Sequence, residues 1–419
     1  MWCQKNRKEN EVKYIVSKFL ISLDPTGGII QNTLSGERFE ATDEVLKLLS
    51  YFKEPHTINE ALGYVRIKPR EVAQLRSFLT SLRRSKFLVP YPEIDASRGP
   101  SILALTNKAL VQGTRKTFLS CPSVGLKSIQ KDQIVFLGVP FDLGTTGFPG
   151  ARFAPERMRE LSSDTFEYHA DIFTGAARGW FSIEHNRHVF EGRKFVDVGN
   201  VILQVGEGFD QLFDRLGKIV DQILRKGGFP VIIGGDHSCS YALIRSFKKR
   251  YGRIGVIHID AHTDLADLLP GIPNNHGNVF TRILEENLVD HLYQYGIRGI
   301  IGKKRIDKNY SLFPMQQLTT DNDLRQAVAQ LDTGVNYYLS LDIDVLDPSY
   351  APGTGTAIPF GMRTETLYKL LSLITARVTI LGFDLVEVNP MMDNRDQTCA
   401  LANSIIILLL AEIEKREQG

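Results

Sequence analysis

Acidic residues and histidines recur in this chain in three short runs: Gly234-Gly235-Asp236-His237-Ser238, Asp260-Ala261-His262-Thr263-Asp264 and Asp342-Ile343-Asp344. Each follows an apolar stretch of strand length, at 230–233, 253–259 and 337–341, so each falls at the carboxyl end of a predicted strand. In an open α/β sheet the carboxyl ends of neighbouring strands converge on one crevice, where ligands bind. Spacing by two predicts that Asp260, His262 and Asp264 share one face of an extended segment, and Asp342 and Asp344 one face of another. Four carboxylates and two imidazoles exceed what one tetrahedral zinc takes, and an oxygen-rich set without sulfur suits hard octahedral ions such as Mn²⁺. Two ions sharing carboxylates are therefore expected. An isolated D-x-D is common on solvated turns, but three strand ends carrying ligand types together are a different matter. Four aspartates in one crevice would resist ionising unless cations neutralised them.

Other residues near these runs read as structural. His258, two before Asp260, is expected to be a packed strand residue, and Cys239, beside His237, a small buried side chain at a helix start rather than a nucleophile. The Arg83-Arg84-Ser85-Lys86 run reads as a solvated helix end, and no glycine-rich phosphate loop is present.

GGDHS, DAHTD and SLDIDVLDPSYAPGTGT resemble the three signature segments of the ureohydrolase family, the arginases and agmatinases. The resemblance covers about residues 134–412. It includes GVPFDLGTTGFPGARFAPERMREL, DVGNV at 197–201, His276-Gly277-Asn278 and GFDLVEVNP at 382–390. It implies an arginase-like three-layer α/β fold and two Mn²⁺ per subunit. His237, Asp260, Asp264 and Asp342 would hold one ion, and Asp260, His262, Asp342 and Asp344 the other, with Asp260 and Asp342 bridging. Such a pair makes hydroxide available near neutral pH and aims it at a guanidinium carbon. By the same resemblance Glu387 would accept a forked hydrogen bond from the guanidinium, and His276 would shuttle protons. Asp384 is placed to help position the site, with no assigned role.

The elements that position these residues follow from periodicity. From residue 134 onward short apolar strands, at 134–139, 195–198, 230–233, 253–259, 337–341 and 378–383, alternate with amphipathic helices at 208–225, 241–250, 279–286 and 363–375. That alternation is the pattern of an α/β domain with a mainly parallel sheet, closed by a helix at 404–415. Residues 1–95 read instead as a small α+β domain: strands at 18–23 and 29–32 joined by Asp24-Pro25-Thr26-Gly27-Gly28, helices at 42–52 and 69–84, and a strand at 86–90. The plan is winged-helix-like. Residues 96–132, irregular and proline-containing, read as a linker, leaving 133–419 as the catalytic domain.

Two departures bear on the substrate. After Asp264 come Leu265 and Ala266, and the loop from Asp267 to Asn275 is richer in apolar residues and proline than a clamp for a free amino acid would be. The N-terminal domain resembles the small winged-helix elements, related to pyrroloquinoline-quinone chaperones, that bind leader peptides by strand addition. We therefore expect an arginase acting on arginine residues of a precursor peptide to give ornithine and urea. An agmatinase-like enzyme for a small free guanidino compound is the second reading, and a non-catalytic binding protein the third, which the complete ligand set opposes. A deacetylase relative would need one zinc and fewer acids. A formal charge of +2 does not point to nucleic acid. The four scattered cysteines and the polar N-terminus fit a cytoplasmic enzyme; a homo-oligomer is also expected. The longest apolar run, 405–411, is short for a membrane span.

Overall fold

The computed structural model describes residues 13–16, 20–22, 29–32, 38–40, 42–52, 56–65, 71–85, 87–90, 110–165, 177–204, 207–267, 274–301 and 308–418. The chain divides into two compact units, Met1–Lys108 and Ala109–Gly419.

In the first unit, strands β1 (Lys13–Val16), β2 (Leu20–Ser22), β3 (Ile29–Asn32), β4 (Arg38–Glu40), β5 (His56–Thr57) and β6 (Leu88–Pro90) form two antiparallel sheets, ordered β5-β1-β6 and β2-β3-β4. Helix Asp43–Tyr51 starts where the Thr42 side chain accepts the amide of Val45, and helix Ile58–Tyr64 where Thr57 and Glu60 cap each other. These helices and helix Val72–Arg84 bury Leu48, Phe52, Ala61, Leu79 and Leu82 against Tyr14 and Leu88. The sequence reading missed β1, β4 and helix Ile58–Tyr64, which are too short to show a period. Residues 24–28, where a turn is expected, and 91–109 lie outside the described residues.

The expected linker, 96–132, is corrected in its second half. From Leu110 the chain belongs to the second unit: β7 (Val111–Gln112) pairs with the sheet edge, and Phe118, Leu119, Cys121, Leu126 and Ile129 are buried. Packing against that edge needs no period of its own, so the sequence does not advertise it.

The second unit is built on nine strands: β7, β8 (Gln133–Gly138), β11 (Lys194–Val201), β12 (Phe229–Ile233), β13 (Gly255–Ile259), β14 (His291–Tyr295), β15 (Tyr310–Phe313), β16 (Tyr337–Asp342) and β17 (Ile380–Val386). Their order is β15-β14-β13-β16-β17-β12-β8-β11-β7, parallel throughout except for β7. A separate hairpin joins β9 (Trp180–Ser182) to β10 (Arg187–Val189). All six expected strands are present, with ends shifted by a few residues. The sequence reading missed β14, whose His291 and Gln294 interrupt the apolar run, and β15, a half-buried edge.

Alternation along the strands makes three layers. Phe136, Ile233, Ile257, Leu339 and Leu385 pack with helices Thr364–Arg377 and Gln397–Gln418. Val135, Leu137, Ile232, Val256 and Tyr338 pack with helices Phe209–Arg225 and Ser240–Tyr251. By length and composition Gln397–Glu417 could cross a bilayer, yet 67% of its apolar window is buried inside the protein, so it serves as a core helix. The buried Arg159 guanidinium joins DVGNV to the segment before it, donating to both carboxylate oxygens of Asp197 at 2.8 and 3.0 Å.

Candidate metal centre

The strand order places β13, β16, β17 and β12 side by side at the middle of the sheet, so the three acidic runs and Glu387 leave from adjacent carboxyl ends. At the end of β12 two glycines let the chain pass between its neighbours. A Cβ on Gly235 would lie 1.7 Å from the carbonyl oxygen of Phe141, and one on Gly234 2.5 Å from Val386. His237 follows after Asp236, and both are buried.

Its tautomer is set from behind. Ser340 Oγ donates to Asp384 Oδ1 at 2.6 Å, so it accepts from His237 Nε2 at 2.9 Å, and Nε2 carries the proton. In the neutral ring Nδ1 is then a bare lone pair. It faces Asp260 Oδ2, Asp264 Oδ2 and Asp342 Oδ2 at 3.1, 3.1 and 3.2 Å and has no hydrogen-bond partner. Four electron-pair donors thus converge on one point, which a cation satisfies and no arrangement of neutral groups does. A second group lies beside it: His262 Nδ1 stands 2.9 Å from Asp344 Oδ2 and 3.5 Å from Asp260 Oδ1. Asp260 belongs to both.

All six expected ligands are therefore brought together, but not by a shared extended face. β13 ends at Ile259, Asp264 takes the left-handed conformation at φ 51°, and Asp344 lies in a short 3₁₀ turn. Side-chain-capped turns replace the pleat: Asp260 Oδ1 accepts the amide of His262, and Asp342 Oδ1 that of Asp344 at 2.8 Å. Asp342 meets the first group through Oδ2, while its Oδ1 holds the Asp344 turn.

Charge crowding points the same way. Burial, then Asp344 and Asp260, push the Asp342 carboxyl well above the usual range, and burial and Asp260 raise Asp344. Burial pulls the His262 ring down, but Asp260 and Asp344 outweigh it and push its pKa up to about 12. The three carboxylates likewise raise His237 against burial. Protons and cations therefore compete for the same lone pairs. Loading with Mn²⁺ should release protons, and each proton displaced should make apparent affinity rise about tenfold per pH unit. Calorimetry in buffers of different ionisation enthalpy measures this; no proton release would mean that the rings hold no exchangeable proton.

Glu387 and His276 meet at the rim. Glu387, left-handed at φ 62°, accepts from the His237 amide at 2.8 Å and from His276 Nδ1 at 3.0 Å, both on Oε1. Oε2 is left for a ligand among the described residues. In the neutral ring His276 Nε2 accepts the Thr146 amide at 2.9 Å and lies 2.8 Å from Thr146 Oγ1, a partner the sequence reading missed. Although burial opposes it, Glu387 pushes the ring up to about 9. A proton arriving on Nε2 can be donated to the Thr146 hydroxyl.

The sequence reading assigned no role in the site to His258, Ser340 or Asp384. His258 is packed, as expected, but it also bonds to Asp260 at 2.7 Å. Ser340 and Asp384 orient His237, and Tyr338 and Ser240 hold Asp384 at 2.9 and 2.6 Å. The signal available was spacing by two, since His258 and Ser340, both on strands, each precede an expected ligand by two residues. Cys239 is buried, and burial pushes its thiol well up, which fits the non-nucleophilic reading.

The model of the arginase family matches residues 132–411. An agmatinase of Bacillus anthracis is 30% identical over 285 residues, spanning 67% of this chain and 91% of that protein. A mitochondrial agmatinase of Gallus gallus is 34% identical over 284 residues, 66% of this chain and 79% of its own. Among solved structures, proclavaminate amidino hydrolase from Streptomyces clavuligerus superposes with a TM-score of 0.63 at 27% identity, covering 73% of this chain and 98% of that one.

Proposed function

The chain belongs to the arginase family, and from that premise we propose that it hydrolyses guanidino groups to urea with two manganese ions, acting on arginine residues of a precursor peptide. The bare Nδ1 of His237 among three carboxylates carries the metal-dependent part of this reading. His237, Asp260, Asp264 and Asp342 would hold one ion, and Asp260, His262 and Asp344 the other, with Asp342 near both. When bound, such a pair supplies the Lewis acidity that makes water nucleophilic near neutral pH.

The chain's own groups do the rest. Glu387 Oε2 accepts N–H bonds from the guanidinium and fixes its carbon over the centre. Water adds to that carbon and the bond to the side-chain nitrogen breaks. Both water protons end on that nitrogen, giving urea and an alkylammonium from a guanidinium. His276 moves one of them through Nε2, beside Thr146 Oγ1, while Glu387 keeps Nδ1–H in place.

Exposed apolar side chains favour a peptide. Leu143, Phe148 and Met391 are 62%, 64% and 70% exposed. Their loops bond to the site: Gly144 to Asp236 and His276, Phe148 to Asn389 and Gly355, and Met391 to Asn389. Exposed apolar side chains of this kind do not bind the charged ends of a free amino acid, but they suit residues flanking an arginine. The names of the relatives favour a second reading, a small free substrate such as agmatine. The manganese-loaded protein should release urea from an arginine-containing peptide and not from free arginine. Urea from agmatine alone would select the second reading, and urea from none would end both.

The N-terminal unit is, on this reading, a winged-helix-like leader-binding element. Removing residues 1–95 should spare the centre, whose proposed ligands all lie beyond Asp236. Provided the shortened chain is soluble and loads metal, tethering predicts a large loss on leader-bearing peptide and little on a short guanidino compound. Equal processing of the full precursor would remove the recognition role.

A further inference from the structure

Behind Asp260 lies a buried hydrogen-bond chain that the reaction just described does not use. Gln294 Nε2 lies 2.6 Å from the carbonyl oxygen of Thr263, in the loop between His262 and Asp264. A carbonyl only accepts, so this end of the amide is the NH₂ group, and Oε1 takes the Tyr310 hydroxyl at 2.8 Å. The second amide proton points to His258 Nδ1 at 2.8 Å. Nδ1 is therefore an acceptor, so Nε2 carries the ring proton and gives it to Asp260 Oδ2 at 2.7 Å. His258 and Gln294 are both fully buried, and the ring of Phe280 lies against His258 with centroids 4.0 Å apart.

By position alone His258 groups with His237, Asp260 and Asp264 as a fourth ligand. Hydrogen-bond direction excludes it. To free Nε2 for a metal, the proton would move to Nδ1 and face the Gln294 NH₂. Turning the amide would then set Oε1 against the Thr263 carbonyl.

We propose that Gln294 and His258 are positioning residues. Gln294 pins the loop carrying His262 and Asp264, and through His258 it aims the carboxylate of Asp260, the residue common to both ligand groups. This rests on the two-metal reading above. Partners of this kind, when removed, cost about 10–100-fold in metal affinity.

The test uses the full chain and Mn²⁺ alone, measuring affinity, stoichiometry and the exchange-coupled electron paramagnetic resonance signal of a manganese pair. His258→Phe and Gln294→Leu should weaken binding about 10–100-fold yet still reach two ions per chain, with the coupled signal, at saturation. His258→Gln, which keeps a donor toward Asp260, should recover most of the affinity. Should Gln294→Leu not fold, Gln294→Glu keeps the shape but has no proton for Thr263 or His258, and should weaken binding likewise. Unchanged affinity in these variants, a drop to one ion in His258→Phe, or no rescue by His258→Gln would each overturn the proposal while leaving the two-metal reading standing. A wild-type chain that takes up no Mn²⁺ would sink both.

Discussion

Alanine at Asp260 is expected to abolish urea release and to strip the centre of tightly held manganese. The reason is its double membership: Oδ2 lies 3.1 Å from His237 Nδ1, and Oδ1 lies 3.5 Å from His262 Nδ1. Losing it removes a ligand from each group and unties the turn that Oδ1 holds at the His262 amide. It also leaves the His258 proton without its acceptor in a buried site. Asp342→Ala should abolish turnover as well, since Oδ2 serves His237 and Oδ1 the Asp344 turn. Asp264 joins only the first group, so Asp264→Ala should keep more metal than either. Metal content after gel filtration, read beside urea release, decides the matter. Near-normal turnover with two ions retained in Asp260→Ala would falsify the ligand assignment.

Much of this centre was legible in the sequence because ligand chemistry and strand geometry point to the same residues. Apolar runs mark the strands, and the acids that break them mark where the strands end. Less legible was what holds the ligands. Ser340 and His258 sit on strands, where a buried polar residue and an apolar one fill the same kind of position. Only their partners, Asp384 on β17 and Gln294 on β14, show that they orient ligands. Those partners are distant in sequence, and no local pattern connects them. The turns hid for a different reason. A spacing of two suits a pleat and an aspartate-capped turn alike, and the left-handed φ of Asp264 and the 3₁₀ turn at Asp344 separate them. Thr146 is a third case, since nothing in a loop of small residues tells that its amide and hydroxyl both meet an imidazole 130 positions away.

His276→Ala should leave both ions bound and slow turnover by roughly 10²–10⁴-fold. Metal content should hold because His276 lies in neither ligand group, and Glu387 keeps its bond from the His237 amide when the ring is gone. A slow variant could still reflect a displaced Glu387 rather than a missing proton carrier, and His276→Asn separates the two. Its side-chain amide can donate to Glu387 but cannot titrate. If His276 only holds Glu387, Asn should restore most of the rate; if it carries protons, Asn should be about as slow as Ala. The pH profile gives a second reading with a definite sign. Without metal, Glu387 outweighs burial and raises the ring to about 9, so this ion pair favours the acid form, which is lost as pH rises. A rate that falls on the alkaline side should mark the intact enzyme, and that limb should be missing from both variants. An unchanged rate in His276→Ala would remove the residue from the reaction and leave Glu387 as the rim's working group.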